Sequence, residues 1–307
     1  MNATPATISP EALAARLRGE NPVLVIDVRL EDDFERRHIA GAVSNCVFEV
    51  AFTDRLADTA PDKQRPVCLY GAGAGSHESR MAREKLERLG YAAVCELEGG
   101  IDAWAAQGYP VEGDGGEPSK PAAPPDGTLD ADPGECRVRW TGRNLLNFHE
   151  GTIDLKSGTL RFANGGLAGG SFVIDMESIR CSDLAGDSLH DVLVNHLRDH
   201  DFFDTGEYPE ARLEILSATD IEGARPGAPN LRIRADLTLK DVTAPLGFDA
   251  CAGLTDDGRP AAQATFSFDR TLWNVLYGSG RWFHRLGGHL VNDLVEIQVR
   301  IVGKSPR

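Results

Sequence analysis

A strand, a glycine-rich loop and a helix in succession make an anion site, because amide N–H groups at the turn and the helix start point outward. The run VCLYGAGAGSHESRMA, residues 67–82, has that pattern. Residues 67–70 read as a buried strand and 78–89 as an amphipathic helix. Gly71, Ala72, Gly73, Ala74, Gly75, Ser76 and His77 form the loop between them. Three alternate glycines would suit a dinucleotide, with Glu96 near the ribose-binding distance. The fingerprint, however, wants a glycine where Ser76 stands, and this strand is not the first of its domain. A passive anion or peptide site built from the N–H groups of residues 72–78 remains open. So does a loop kept glycine-rich only for its backbone geometry.

A second constellation is His196 and His200, i and i+4 on an expected helix over 188–200, with His190, Asp199 and Asp201 nearby. Two histidines on one helical face can hold zinc. No HExxH accompanies them, and capping or hydrogen bonding by the rings is the competing reading. His149, His284 and His289 stand isolated, and Asp256 and Asp257 fall in a turn signal, TDDGR.

These residues need a scaffold, and the pattern supplies two. Residues 1–112 alternate helix and strand: helices at 10–17, 31–36, 78–89 and 101–107, strands at 23–28, 67–70 and 93–97. Ser9 is the expected N-cap of the first helix, with Pro10 at its first position. Such alternation implies an α/β domain whose parallel sheet is covered on both faces, with its ligand site at the carboxyl ends of the strands, where loop 71–77 lies. Residues 113–134, rich in proline, glycine and aspartate, read as a flexible linker. Residues 135–307 carry many strands separated by glycine-bearing turns such as KSG, ANGG and TDDG, and imply an antiparallel sandwich or barrel. In SFVIDM, Phe172, Ile174 and Met176 share one face.

Composition narrows the function. A net charge of −15 over 307 residues argues against nucleic acid and against an anionic membrane surface. No apolar run approaches the ~20 residues that cross a bilayer. The start MNATPATISPEAL has neither a basic region nor an apolar core, so no secretory signal is read there. Six cysteines without CxxC spacing read as reduced thiols, and the expected location is the cytoplasm.

IDVRLEDDFERRHIAGAVSN (26–45) and LEGGIDAWAAQGYPV (97–111) resemble the two rhodanese signatures, with Asp27 and Arg29 at the strand end as supporting residues. That resemblance implies a loop opening on a cysteine whose persulfide carries sulfur inside a ring of amides. Gly71 occupies the cysteine position here. Glycine has no nucleophile, so the domain is expected to be inactive, and a phosphatase loop on the same fold would lack the same thiol. The alternative is a sulfurtransferase using another cysteine such as Cys68, although a strand cysteine is ordinarily an inert small hydrophobe.

HLRDHDFFDTGEYPEARLEI (196–215) resembles the characteristic segment of the YceI-like, polyisoprenoid-binding, lipocalin-like proteins; GGSFVIDMESIRCSDL, LTLKDVTAPLGFD and the C-terminal run from WNVLYGSGRWF fit the same family. It implies an eight-stranded antiparallel barrel with one helix that binds an isoprenoid or similar amphiphile, with no cofactor and no catalysis. A barrel of that size is just wide enough for one slender ligand. The expected ligand-binding residues are Trp140, Phe172, Ile174, Met176, Phe202 and Phe203 in the barrel, with Trp273, Tyr277, Trp282 and Phe283 at its mouth. The first domain is then an accessory module with a possible protein partner.

Overall fold

The computed structural model describes residues 7–116, 126–255 and 257–305. Contacts divide the chain into two units, residues 1–120 and 121–307.

The first unit runs β1 (Thr7–Ile8), α1 (Pro10–Leu17), β2 (Leu24–Asp27), α2 (Glu31–Arg36), β3 (His38–Ile39), β4 (Val43–Ser44), α3 (Phe52–Thr59), β5 (Val67–Tyr70), α4 (Glu78–Arg88), β6 (Val94–Leu97), α5 (Gly100–Ala106) and β7 (Val111–Glu112). Five strands form a parallel sheet in the order β1-β6-β5-β2-β4. Alternation along β5 dictates the layers. Val67 and Leu69 pack with Phe52, Leu56, Ala82 and Leu86 of α3 and α4. Cys68 and Tyr70 turn to the other face, against Leu13, Ile101 and Trp104 of α1 and α5. Both faces are therefore covered, as the alternation predicts. Ser9 caps α1, its Oγ accepting the Ala12 amide at 3.3 Å. Helix α3 gave no signal in the sequence pattern, although Phe52 and Leu56 are its two core residues.

The second unit contains β8 (Gly127–Asp130), β9 (Arg137–Asn144), β10 (Phe148–Ala163), β11 (Gly166–Cys181), α6 (His190–Arg198), β12 (Glu210–Asp220), β13 (Leu231–Leu239), β14 (Val242–Leu254), β15 (Pro260–Asp269) and β16 (Val291–Val302). Strands β9 to β16 are antiparallel neighbours, and the β10–β11 ladder closes them into an eight-stranded barrel. β8 pairs with the C-terminal half of β10, beyond β9 on the edge opposite β11. No helix among the described residues is long and apolar enough to cross a membrane.

Two expectations need correction. The linker expected over 113–134 is structured at both ends. The amides of Asp114 and Gly115 donate to the Glu35 and Arg36 carbonyls at 3.0 Å each. Gly127–Asp130 is β8, and Ala131 is buried and bridged to Gly303. Residues 117–125 of that stretch lie outside the described residues, as does Asp256 of the TDDGR turn. Composition misses such segments because a backbone can pair without apolar side chains. The second correction is the KSG turn, which does not exist. A single strand, β10, runs through residues 156–158, irregular near Ser157. Gly158 lets the Phe172 ring lie against the backbone: a Cβ there would stand 2.4 Å from the ring.

Candidate functional site

Alternation along the strands sends every second side chain into the barrel. Two clusters result. One includes Ile153, Met176, Leu237 and Phe268; the other includes Leu155, Phe172, Ile215 and Ile233. Ile174, Leu213 and Phe248 touch both clusters, and a cavity of about 220 Å³ lies among these walls. An apolar cavity of ~150 Å³ already stays dry and takes up a benzene-sized guest.

Six of the ten expected residues line this cavity: Trp140, Phe172, Ile174, Met176, Phe202 and Phe203. Trp273, Tyr277, Trp282 and Phe283 do not. Trp273 is 1% exposed, its Nε1 donates to the Leu237 carbonyl at 2.8 Å, and its ring meets Phe268 edge-on. It is a plug packed behind the wall. Tyr277 meets His196 edge-on, with ring centroids 4.3 Å apart. Trp282 and Phe283 are 59% and 47% exposed, on turns made by the surrounding glycines.

One cavity residue carried no sequence signal. Arg270, in a 3₁₀ turn after β15, borders the cavity and is 0% exposed. Its guanidinium donates to the carbonyls of Val275 (2.6 Å), Asn292 (3.0 Å) and Val291 (3.1 Å), and its charge centre lies 5.5 Å from the centre of the Phe202 ring. Burial lowers its pKa from the ordinary arginine value. Its donors are occupied by the chain itself, so this buried charge staples the loop before β16 to the barrel end.

The histidines separate. α6 ends at Arg198, so His200 lies beyond the helix and pairs with its neighbour Asp199 at 2.8 Å. His196 faces Tyr277, Phe202 and, at 3.7 Å, Asp201. The two rings share no helical face. A different set does converge: His149, Cys181 and Asp183 bring donor atoms within 4.8 Å of one another. The β10–β11 pairing joins them, a long-range contact that sequence spacing hides. Burial raises the Asp183 carboxyl. Hydrogen bonds from the Glu150 amide, the Cys181 thiol and His149 outweigh that and bring it to about 2. These groups satisfy one another without an ion.

In the first unit, the loop after β5 is closed upon itself. Ala72 N–H donates to Glu78 Oε1 at 2.9 Å, Gly73 N–H to Ser76 Oγ at 3.3 Å, and Ser76 N–H to the Gly73 carbonyl at 3.1 Å. The Gly71 and Ala72 carbonyls accept from Ile101 and Asp102 at the start of α5, at 3.0 and 3.2 Å. Three of the seven amides expected to cradle an anion, those of Ala72, Gly73 and Ser76, thus already hold the protein's own carboxylate, hydroxyl and carbonyl. A Cβ at Gly71 would stand 2.7 Å from both Glu78 Oε1 and Ser76 Oγ. Ala74, Gly75 and His77 complete the exterior of the loop, and His77 Nδ1 meets Arg80 at 2.6 Å. Cys68 is 0% exposed, and its hydrogen bond to Cys95 together with burial raises its thiol pKa well above the ordinary range. Asp27 and Arg29 form a buried pair at 2.6 Å, and Arg29 also donates to the Arg37 carbonyl at 2.6 Å. They fasten the end of β2 to the chain that follows.

Comparison with known proteins agrees with both folds. The pattern of the rhodanese-like domain matches residues 9–107, and that of the YceI-like domain matches residues 129–303. The uncharacterized protein YibN of Escherichia coli K12 is 30% identical over 99 residues, which are 32% of this chain; the chain spans 66% of that protein, just under two thirds. The thiosulfate sulfurtransferase PspE of the same organism is 37% identical over 76 residues, 25% of this chain and 68% of PspE. Among solved structures, a polyisoprenoid binding domain from Saccharophagus degradans implicated in plant cell wall breakdown aligns at 16% identity and TM-score 0.44, covering 58% of this chain and 98% of that one. The chain belongs to the YceI-like domain family through residues 129–303, more than half its length, and carries a rhodanese-like domain at residues 9–107.

Proposed function

We propose that this protein carries or sequesters an isoprenoid-type or other long-chain amphiphile in its barrel, with the rhodanese-like domain as an accessory module that transfers no sulfur. The supporting observation is the apolar cavity of about 220 Å³ inside the closed barrel, walled by side chains from the eight strands. Each Å² of apolar surface that leaves water there contributes ~25 cal/mol to uptake. Solvent extraction of the purified full chain followed by mass spectrometry tests the reading. Recovery of a stoichiometric long-chain lipid supports it. A ligand-free protein that also fails to bind prenyl or fatty-acyl probes overturns it.

The accessory role rests on Gly71, which offers no thiolate, and on Cys68, which is buried and held protonated. Thiocyanate production from thiosulfate and cyanide, abolished by Cys68→Ser, would refute it. In this reading the first domain docks a protein partner. A full chain that captures nothing beyond what a chain lacking residues 1–112 captures would remove that part. The six free cysteines, five of them buried, fit a reducing compartment, the cytoplasm; cell fractionation tests it.

A further inference from the structure

The barrel wall has a seam. β14 pairs with β13 from Val242 to Ala250, and β15 pairs with β16 from Ala261 to Asp269. Between themselves β14 and β15 pair only from Leu254↔Pro260 to Ala250↔Ala264. Continuing that register would match Asp249 with Thr265 and Phe248 with Phe266, yet the ladder stops short of them. Two strands that part lose the backbone hydrogen bonds that hold a barrel shut. Phe248 and Phe266 fill the seam, stacked with centroids 4.3 Å apart and planes 15° apart. Both rings border the inner cavity, and both border a depression of about 940 Å³ on the outer surface. The two rings, with Ile233, Gln263, Ala264 and Val299, form the wall between inside and outside.

The outer depression is basic. Arg137 and Arg139 from β9, Arg234 from β13 and Arg300 from β16 line it, all exposed. Their strand neighbours Val138, Trp140, Ile233 and Val299 line the cavity, so alternation turns the arginines outward. Arg137 and Arg300 stand directly opposite each other across the β9–β16 ladder, an arrangement of like charges that disfavours folding. Among the described residues none of the four has a carboxylate within 4.0 Å. Arg137 donates to the Gly134 and Cys136 carbonyls and Arg300 to the Glu135 carbonyl. The nearby Arg232 differs, because Asp249 pairs with it at 2.9 Å. In a chain of net charge −15, four guanidinium groups on one wall without an acid partner among the described residues are a local reversal of charge.

We propose that the β14–β15 seam is a side portal for the amphiphile, and that these arginines hold its anionic head group outside while its chain lies within. The inference rests on the carrier reading and narrows its ligand to a chain ending in phosphate, diphosphate or carboxylate. Guanidinium forks match the oxygens of such groups and bind them through paired hydrogen bonds. Parting of Phe248 and Phe266 admits the chain without unfolding either barrel end.

Equilibrium binding of geranylgeranyl diphosphate, geranylgeraniol and inorganic diphosphate to the full chain tests this. The prenyl diphosphate is expected to bind at least about tenfold more tightly than the alcohol, with a preference that shrinks as salt rises. Arg139→Gln with Arg234→Gln, both at exposed positions, is expected to abolish the preference and leave the alcohol's affinity unchanged. Phe266→Ala is expected to speed release of the alcohol several-fold without touching the head-group preference. Equal affinity for alcohol and diphosphate, unaltered in the double variant, overturns the portal while leaving the carrier intact. Inorganic diphosphate bound as tightly as the prenyl form reveals a free-anion site and overturns it as well. Failure of both chain ligands to bind refutes the carrier reading itself.

Discussion

Leu213→Trp separates a ligand-bearing cavity from a packing defect. Leu213 lies mid-wall on β12, opposite Phe172 on β11 and Leu237 on β13. It is only half-buried although it faces inward, because it borders the void and touches both core clusters. The substitution adds about six non-hydrogen atoms, which displace about as many carbons of a bound chain. At ~0.8 kcal/mol per buried CH₂ the loss is ~5 kcal/mol, or about half that if the chain slides to recover part of its burial. At 1.4 kcal/mol per decade, affinity falls by roughly 70-fold to a few thousandfold. Overpacking costs ~1–3 kcal/mol when a side chain meets filled space; here it meets empty space, so the melting temperature should hold or rise. The assay is titration with a fluorescent long-chain amphiphile beside a thermal unfolding scan. A folded variant that binds the probe as tightly as the wild type would show that the ligand does not occupy this cavity.

Arg270→Met should destabilise the second domain by about 3–5 kcal/mol, since the carbonyls of Val275, Val291 and Asn292 would be buried without donors; urea unfolding of the full chain reads this, and an unchanged midpoint refutes the staple. Gly158→Val should cost about 1–3 kcal/mol in the same assay, because its Cβ would press on Phe172, and Phe172→Leu in the same chain should recover part of the loss. Gly71→Cys should not create a sulfurtransferase. The new thiol would lie against the Glu78 carboxylate, which disfavours the thiolate and moves the thiol pKa above the ordinary ~8.5. Alkylation of that cysteine should therefore begin only at alkaline pH, and adding Glu78→Gln should bring it to lower pH; a thiol already ionised at neutral pH in the single variant contradicts this.

Much of the architecture is legible in the residues. Alternation placed Phe172, Ile174 and Met176 on one face, and all three line the cavity. The VCLY run and the glycines after it gave strand, loop and helix in the right order. The aromatics of residues 273–283 misled, because without a strand or helix period a ring type cannot say which way it points. Arg270 was invisible for a related reason: its acceptors are carbonyls up to 22 residues away, and any residue type could have supplied them. The loop's closure by Glu78 was equally hidden, since a glutamate at a helix start reads first as a partner for the helix dipole. The seam and its arginines escaped notice because LRIRADLTL and CRVRWT read simply as polar-outward strands. Only the register of the neighbouring strands shows that their charges meet and that the ladder beside them stops.

Where the polar groups find their partners decides where a ligand's charge can reside. At the rhodanese-like loop, the amides of Ala72, Gly73 and Ser76 and those of Ile101 and Asp102 in α5 are occupied by the chain, and an anion at the Ala72 amide would have to displace the Glu78 carboxylate. Among the described residues that line the barrel cavity, the cation Arg270 has its donors taken up by three carbonyls and lies 3.9 Å from Asp293. A charged head group drawn into that cavity would lose its hydration with few donors to replace it. The outer arginines are in the opposite condition: solvated, unmatched and in one case set against each other across a ladder. An amphiphile with an anionic end gains most by keeping its chain among Leu213, Ile174 and Phe248 and its charge at Arg139 and Arg234, and Phe248 and Phe266 both border the two regions.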